Sequence, residues 1–453
     1  MRSRSVLLFI LSTIAALALL CRFFPRDGIA MGPITLNFPS LAEILTGDEP
    51  AGESPEELLA RRMAAIREAR KNDFLEYFKD NPARIYFPGD SIGYLDSFFN
   101  ALDSAVNHRM RIIHYGDSQI EEDRISNVMR DSLQTRFGGG GPGLLPVLDE
   151  YYNLSISEAS SAAPRRYLAY GPAEMRGAAG RYGPMAQKSH YDTAVVTTFF
   201  PVKSNHGPSR YFNRLTFLSS GGDLTIRCKD STQRYEATAD IRHVRFELPD
   251  STERVSITHS GSHDIYGVML DCETGVALDN VPMRGCDGTM FTGIRAEQLA
   301  DYYNSENVRL IILQYGGNVV PFTRREDKIS DYCKDISRQI AYLQELAPEA
   351  GILFIGPSDM STTIQGKMQT YKHLPAFVDS LRTNVNKSGA AFWDMYEAMG
   401  GQNSMAQWVI QSPPLANSDY VHFTKKGAEK MGDMLFDTIM LYYDYYKLTH
   451  YEE

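Results

Sequence analysis

The sequence predicts an α/β fold with a parallel sheet, which is interrupted by an all-β insert of the sandwich type. The run Val308–Tyr315 is almost entirely apolar, as expected of a strand buried inside a parallel sheet. Strand and helix patterns alternate before about residue 150 and return after Gly275. Between them, residues 150–273 carry short alternating runs divided by turn signals, a pattern typical of a β-sandwich.

The composition of the 453-residue chain excludes several classes of protein. Hydrophobic residues make up 43% and charged residues 23%, which excludes a disordered, collagenous or multi-span membrane chain. The net charge of −10 gives no reason to expect a nucleic-acid partner. The cysteines stand far apart and form no CxxC pair, so a zinc ribbon is not expected. Whether Cys228 and Cys272 pair in an oxidising compartment is left open.

The first 30 residues have the pattern of an export signal. Arg2 and Arg4 precede the run Val6–Cys21, which is mostly apolar and carries no charge. We expect an uncleaved anchor in the cytoplasmic membrane, with a cleaved signal peptide as the alternative. In both cases the rest of the chain is expected outside that membrane, in a periplasm.

Residues 31–83 are predicted to form a linker followed by a spacer helix. Residues 31–53 are rich in Pro, Gly and Glu, which is typical of a linker. The segment Ser54–Glu57 is a capping box with Pro at the first helical position. It opens a charged helix that is predicted to end near Asn72.

The α/β part is expected in two segments, residues 84–149 and 274–447, on either side of the insert 150–273. Strand patterns in these segments occur at Met110–Tyr115, Val308–Tyr315, Ile352–Ile355 and Ala390–Trp393. Helix patterns occur at residues 120–133, 327–346 and 371–388, and again after Thr424. Inside the insert, residues 224–227 and 244–248 alternate as strands do.

Several motifs that carry cofactors or metals are absent from the sequence. It contains no HExxH zinc helix, no GxxxxGK[ST] phosphate loop and no GxSxG nucleophile elbow. Gly138, Gly140 and Gly143 do match GxGxxG, but they follow a helix instead of a strand and enclose Pro142. This favours a flexible loop over a dinucleotide site, and we expect no cofactor and no metal.

Polar residues that can carry chemistry occur near both ends of the α/β pattern. Ser118 follows the strand Met110–Tyr115, at the edge where parallel sheets bind ligands and where a backbone N–H can face an oxyanion. Asp419 and His422 precede the last helix, at a spacing that lets the carboxylate orient the imidazole. Asp117 is expected to fix the serine turn by side-chain-to-backbone hydrogen bonds.

These residues, in this order, resemble the sequence blocks of the SGNH (GDSL-type) hydrolase family. The matching blocks are Tyr115–Gln119, Gly316–Asn318, Asp419–Thr424 and, as the weakest match, Gly285–Thr289. The resemblance implies a flavodoxin-like, three-layer α/β/α fold. Gln119 departs from the leucine that many members have at that position.

The resemblance also implies a serine esterase. Ser118 is then the nucleophile, His422 the general base and Asp419 the residue that orients the base. The donors to the oxyanion are expected to be the backbone N–H groups of Ser118 and Gly288 and the side chain of Asn318.

A second Gly-Asp-Ser sequence ends at Ser91 and competes for the role of nucleophile. Pro88 removes an N–H group where a central strand needs one, and Gly93 interrupts the segment that follows. We therefore favour Ser118 and expect Ser91 to lie in a turn.

The position of the insert is similar to the architecture of periplasmic peptidoglycan O-acetylesterases, in which a carbohydrate-binding-like β domain interrupts the catalytic fold. The favoured substrate is thus an O-acetyl ester on a cell-envelope glycan. A glycan O-acetyltransferase, a lipid esterase and a non-catalytic glycan-binding or scaffold protein stay as alternatives. The candidates for sugar contact in the insert are the aromatic residues Tyr211, Phe212, Tyr235 and Tyr266, although packing in the core is the expected role for any one of them.

Overall fold

A computed structural model describes residues 2–25, 28–31, 34–36, 38–40, 44, 55–177 and 180–451. The chain divides into two compact units, Met1–Leu75 and Glu76–Glu453. In the first unit, helix α1 (Arg2–Phe23) is followed by the antiparallel strand pair β1 (Ile29–Met31) and β2 (Ile34–Leu36). Most of the predicted linker 31–53, and Ser54 of the predicted capping box, lie outside the described residues.

In the part of the chain that is described, no helix combines the length and the apolar character needed to cross a membrane. The membrane anchor stays a prediction. The predicted spacer helix exists as α2 (Pro55–Asp80), and it ends eight residues later than the sequence suggested. In its last turns Phe78 is buried and stacks on Tyr442 at 4.2 Å between ring centroids, and this packing extends the helix.

The second unit contains a six-stranded sheet built mainly from parallel strands. Its strands, in spatial order, are β16 (Val276–Pro282), β4 (Met110–Gly116), β17 (Val308–Gln314), β18 (Gly351–Ile355), β21 (Ala391–Trp393) and β3 (Ile85–Tyr86). All neighbouring pairs are parallel except β21 with β3. The predicted α/β fold with a parallel sheet is therefore confirmed. The sequence did not predict β3, because a two-residue strand has no detectable periodicity.

This unit also contains the helices α3 (Asp96–Ser104), α4 (Ser126–Phe137), α5 (Ala296–Ser305), α6 (Glu326–Leu346), α7 (Leu374–Lys387), α8 (Met395–Ala398), α9 (Ser404–Ile410) and α10 (Lys425–His450). A separate hairpin is formed by β19 (Ser361–Ile364) and β20 (Lys367–Thr370). The predicted helices near 327–346, 371–388 and after Thr424 are confirmed as α6, α7 and α10. The helix predicted from residue 120 begins later, at Ser126. A 3₁₀ turn precedes it, and its backbone leaves the helical region at Glu121 (φ −54°, ψ 157°) and Glu122 (φ 61°, ψ 10°).

Residues 143–271 form two antiparallel sheets. The first has the order β13 (Thr238–Thr252), β10 (Phe212–Gly221), β15 (His263–Asp271), β8 (Gln187–Tyr191) and β7 (Arg165–Leu168), with β5 (Gly143–Leu145) also paired to β15. The second has the order β12 (Ser231–Tyr235), β11 (Leu224–Cys228), β14 (Val255–Ser260), β9 (Val195–Pro201) and β6 (Ile156–Ser160).

The two antiparallel sheets share one hydrophobic core, to which Phe199 and Ile257 contribute from one sheet and Phe217 from the other. They lie within the same compact unit as the parallel sheet, so an independently folded insert stays a prediction. Cys228 and Cys272, whose pairing the sequence left open, are both free thiols.

The glycine-rich segment after α4 runs between the parallel sheet and the first antiparallel sheet and packs closely against the backbone of both. It is not the flexible loop that the sequence suggested. Gly139 and Gly141 have positive φ values of 108° and 78°. A Cβ atom at Gly139 would lie 2.6 Å from the carbonyl oxygen of Val276, and one at Gly141 would overlap the carbonyl of Leu270. Side chains are excluded here because the chain passes directly between the parallel sheet and the first antiparallel sheet.

A buried ion network joins these two sheets. Arg111, on β4, is fully buried and donates to Asp279 on β16 at 2.5 Å and to Asp271 at the end of β15. Arg214, on β10, lies 3.2 Å from Asp271 and 3.0 Å from Glu306, which precedes β17. All three carboxylates are buried, so the arginines compensate charges that come from both sheets.

We expect Arg111→Met to destabilise the protein by about 3–5 kcal/mol, because it leaves the buried carboxylate of Asp279 without a counter-charge. Urea unfolding followed by circular dichroism measures the loss. The matched control is Arg165→Met, whose partner Asp192 is exposed and whose loss should cost less than about 1 kcal/mol. Equal losses for the two variants would contradict the importance of the buried network.

Candidate active site

The sheet register brings together the segments that follow three neighbouring strands. Gly116 at the end of β4 pairs with Gln314 at the end of β17, and with Pro282 at the end of β16. The residues that come next therefore meet at the carboxyl edge of the sheet, where Ser118 and Asn318 line one pocket.

Ser118, His422 and Asp419 form a continuous chain of hydrogen bonds. Ser118 Oγ lies 2.8 Å from His422 Nε2, and His422 Nδ1 lies 2.8 Å from Asp419 Oδ2. The other carboxylate oxygen of Asp419 accepts the backbone N–H groups of Val421 and His422 at 2.9 and 3.0 Å. Partial burial alone would raise the pKa of Asp419, but these hydrogen bonds outweigh burial and lower that pKa. The carboxylate is thus held ionised against the imidazole.

Gln119 and Arg124 connect the loop that carries His422 (the histidine loop) to the turn that carries Ser118 (the serine turn) by hydrogen bonds. The Gln119 amide donates to the carbonyl of Val421 at 2.6 Å, and its oxygen accepts the N–H of Phe423 at 3.5 Å. The Arg124 guanidinium donates to the carbonyls of Ser118 at 2.7 Å and of Phe423 at 3.3 Å. Sequence reasoning noted Gln119 as a departure from the family pattern and missed this role.

The structure does not bring Gly288 into the pocket, which corrects its predicted role as an oxyanion donor. Gly288 is buried, and its N–H points to Cys286 Sγ at 3.4 Å. Gly285, three residues earlier, is exposed and lines the pocket together with Ser118. Among the described residues, neither the N–H of Ser118 nor that of Gly285 donates a hydrogen bond.

Asn318 lies at the pocket as predicted, but its amide already has partners. Its Nδ2 donates to Asp117 Oδ2 at 3.2 Å and to the carbonyl of Cys286 at 3.0 Å. Asp117 also accepts the N–H of Gln119 at 3.0 Å, which is the turn-fixing bond that the sequence predicted. Burial raises the pKa of Asp117 to about 6. An oxyanion has to replace one of the two acceptors of Asn318, as catalytic hydrogen bonds often rearrange when substrate binds.

The pocket has a volume of about 470 Å³ and holds few polar side chains besides those named above. Met360, Met395 and Pro357 supply apolar walls that suit a small acyl group. Within the described residues, no cluster of His, Cys, Asp and Glu side chains is arranged to bind a metal ion. Ser91 is exposed, follows the turn Pro88–Asp90 as predicted, and does not line the pocket.

Two of the four aromatic candidates for sugar contact are core residues. Phe212 and Tyr266 are each only 1% exposed, so both have the core-packing role that the sequence favoured for any one of these residues. Tyr211 is 40% exposed and Tyr235 is partly exposed, but neither lines the active-site pocket.

Comparison with solved structures supports the class of fold. The chain is similar to a peptidoglycan O-acetylesterase, with a TM-score of 0.66 and 19% sequence identity over 79% of this chain and 98% of that chain. It also matches a family two carbohydrate esterase from Cellvibrio japonicus (12% identity, TM-score 0.27, 64% of this chain and 99% of that chain). An acetyl xylan esterase matches with 14% identity and a TM-score of 0.28, over 36% of this chain and 81% of that chain. No family model and no curated protein matches the chain.

The chain therefore shares its fold with that peptidoglycan O-acetylesterase, and the resemblance that the sequence blocks indicated is confirmed at the level of the fold. The similarity to the peptidoglycan O-acetylesterase includes nearly the whole of that structure. The two carbohydrate esterases, with TM-scores of 0.27 and 0.28, add nothing to this conclusion.

We expect Gln119→Leu to lower kcat on a small acetyl ester by about tenfold with little change in KM, because the histidine loop loses both side-chain contacts from residue 119. Steady-state kinetics on p-nitrophenyl acetate measure the split. The matched control is Gln134→Leu, which also loses two hydrogen bonds from a glutamine side chain to the backbone but touches neither the Ser118 turn nor the His422 loop. An equal fall in kcat for both variants would show that the Gln119 effect is general loosening of the fold.

Asp117 gives the protein a specific pH dependence of stability. Its carboxyl ionises at about pH 6 in the folded protein and near 3.8 when unfolded, so the unfolded state loses its proton first as pH rises. The stability contributed by this group is therefore present below pH 3.8 and falls as pH rises to 6, by about 3 kcal/mol in total. The free energy of unfolding of wild type relative to Asp117→Asn should decrease by that amount between pH 3.5 and 7. A difference that does not change with pH would contradict the shifted pKa.

Proposed function

We propose that the protein is a serine esterase that hydrolyses O-acetyl groups on a cell-envelope glycan such as peptidoglycan. The observation that carries the proposal is the hydrogen-bonded chain Ser118–His422–Asp419 at a pocket with two available N–H donors. The similarity of fold to a peptidoglycan O-acetylesterase supports the choice of substrate class.

In the proposed reaction, His422 Nε2 takes the proton of Ser118 while Ser118 Oγ attacks the ester carbonyl carbon. The backbone N–H groups of Ser118 and Gly285 and the side-chain amide of Asn318 donate hydrogen bonds to the oxyanion of the tetrahedral intermediate. The sugar oxygen then leaves with the proton from His422, and an acetyl group stays on Ser118. Water, deprotonated by His422, attacks this acyl-enzyme, and His422 then returns the proton to Ser118 Oγ as acetate is released. Asp419 stabilises the imidazolium that forms twice in the cycle.

The same proposal places the enzyme outside the cytoplasmic membrane, where such glycans occur. The support is the basic and then apolar pattern of its first 30 residues. Fractionation of cells that express the full chain, followed by detection of the protein in each fraction, tests this location.

Ser118→Ala should lower acetate release from O-acetylated peptidoglycan by several orders of magnitude, because it removes the attacking atom. Ser91→Ala, in an exposed turn outside the pocket, should leave the rate within about twofold of wild type. Enzymatic assay of free acetate measures both. Loss of activity in Ser91→Ala with retention in Ser118→Ala would assign the nucleophile to the other Gly-Asp-Ser sequence. Absence of acetate release by wild type on every acetylated glycan would refute the proposed function.

A further inference from the structure

A second cavity, of about 180 Å³, lies beside the active-site pocket, and Arg284 lines both. The second cavity, here called the side cleft, is lined partly by the ends of β16 and of the serine turn and partly by the antiparallel sheets. The residues relevant to its chemistry are Glu122, Asp149, Glu150, Tyr151, Tyr170 and Arg284.

Arg284 is held rigidly at the border between the two cavities. Its guanidinium donates to both carboxylate oxygens of the buried Glu121, at 2.6 and 2.8 Å. The same guanidinium lies 4.6 Å from the ring centroid of Tyr151. Gly285, whose N–H is available in the active-site pocket, is the next residue in the chain. A substrate that extends from Ser118 past Gly285 therefore meets Arg284 and then Tyr151.

The side cleft combines an exposed aromatic ring with hydrogen-bond acceptors. Tyr151 is 40% exposed, and Tyr170 is partly buried in the wall behind it. The carboxylates of Asp149 and Glu150 also line the cleft, where Glu150 pairs with Arg166 at 2.8 Å and Asp149 accepts the N–H of Tyr151 at 3.2 Å. A pyranose ring has an apolar C–H face, which packs on an aromatic ring, and hydroxyl groups around its edge, which donate to carboxylates.

Since carboxylates outnumber arginines in the lining, the side cleft also disfavours polyanions. The charged residues that line it are Glu121, Glu122, Asp149, Glu150, Arg166 and Arg284. A phosphate-rich polymer would meet net repulsion there, whereas an uncharged sugar would not.

We propose that the side cleft binds a second sugar residue of the glycan whose O-acetyl group lies at Ser118, with Tyr151 as the stacking platform. This rests on the proposed function and adds that the enzyme selects a chain of sugars over a single acetylated sugar. It also moves sugar recognition from the aromatic residues expected in the sandwich to a tyrosine beside the active site.

The test compares Tyr151→Ala with Tyr211→Ala, since both tyrosines are 40% exposed and Tyr211 lines neither cavity. For each protein, kcat/KM is measured on p-nitrophenyl acetate and on an O-acetylated hexasaccharide of the glycan. We expect the ratio of kcat/KM on the hexasaccharide to kcat/KM on p-nitrophenyl acetate to fall about tenfold in Tyr151→Ala, as for loss of one aromatic anchor. In Tyr211→Ala this ratio should stay at the wild-type value.

A second measurement does not depend on turnover. Binding of the unacetylated hexasaccharide to the Ser118→Ala protein is measured by calorimetry, with and without the Tyr151→Ala change. Equal ratios in the two tyrosine variants, together with equal hexasaccharide affinities, would overturn the side-cleft proposal while leaving the esterase intact. Loss of all esterase activity in wild type, with Tyr151-dependent hexasaccharide binding retained, would instead refute the proposed function and keep the sugar site.

Discussion

The position of every part of the site depends on the buried ion network around Arg111. An arginine without solvent is costly by several kcal/mol unless carboxylates surround it. Here Asp279 comes from the neighbouring strand β16, and Asp271 comes from β15 of the antiparallel sheets. Asp279 also accepts the backbone N–H of Leu144 on β5. One cluster of buried charges therefore fixes the neighbouring strand β16 and the antiparallel sheets against β4, the strand that leads to Ser118.

From that fixed strand, the site is assembled by bonds between segments that are far apart in sequence. Ser118 and His422 are 304 residues apart and meet at 2.8 Å. Asn318 reaches back to Asp117, and Gln119 holds the backbone on both sides of His422. The chemistry of the serine thus depends on the edge geometry of the parallel sheet, because no single loop contains its partners.

Sequence patterns predicted four of the six strands of the parallel sheet (β4, β17, β18 and β21) and the helices α6, α7 and α10, because apolar periodicity is local. They did not predict β3 or β16. They also located Ser118, Asp419, His422 and Asn318, since each follows a strand or precedes a helix in a short motif. They placed Gly288 at the pocket, which Gly285 lines instead, because both glycines fit a loose sequence pattern. Aromatic residues could not be sorted into core and surface, because alternation in a two-sheet core does not show which face another sheet covers.

The crossing at Gly139 and Gly141 has a consequence for how this architecture can change during evolution. The chain enters the antiparallel sheets through a passage with no space for a side chain, and those sheets return Asp271 to the buried arginines. A deletion that removed the sheets would take both Asp271 and Arg214 out of the buried ion network and would expose the apolar surface that the sheets cover. The antiparallel sheets are therefore difficult to lose during evolution. Their outer loops can vary, but a descendant without these sheets would need compensating changes at several buried positions at once.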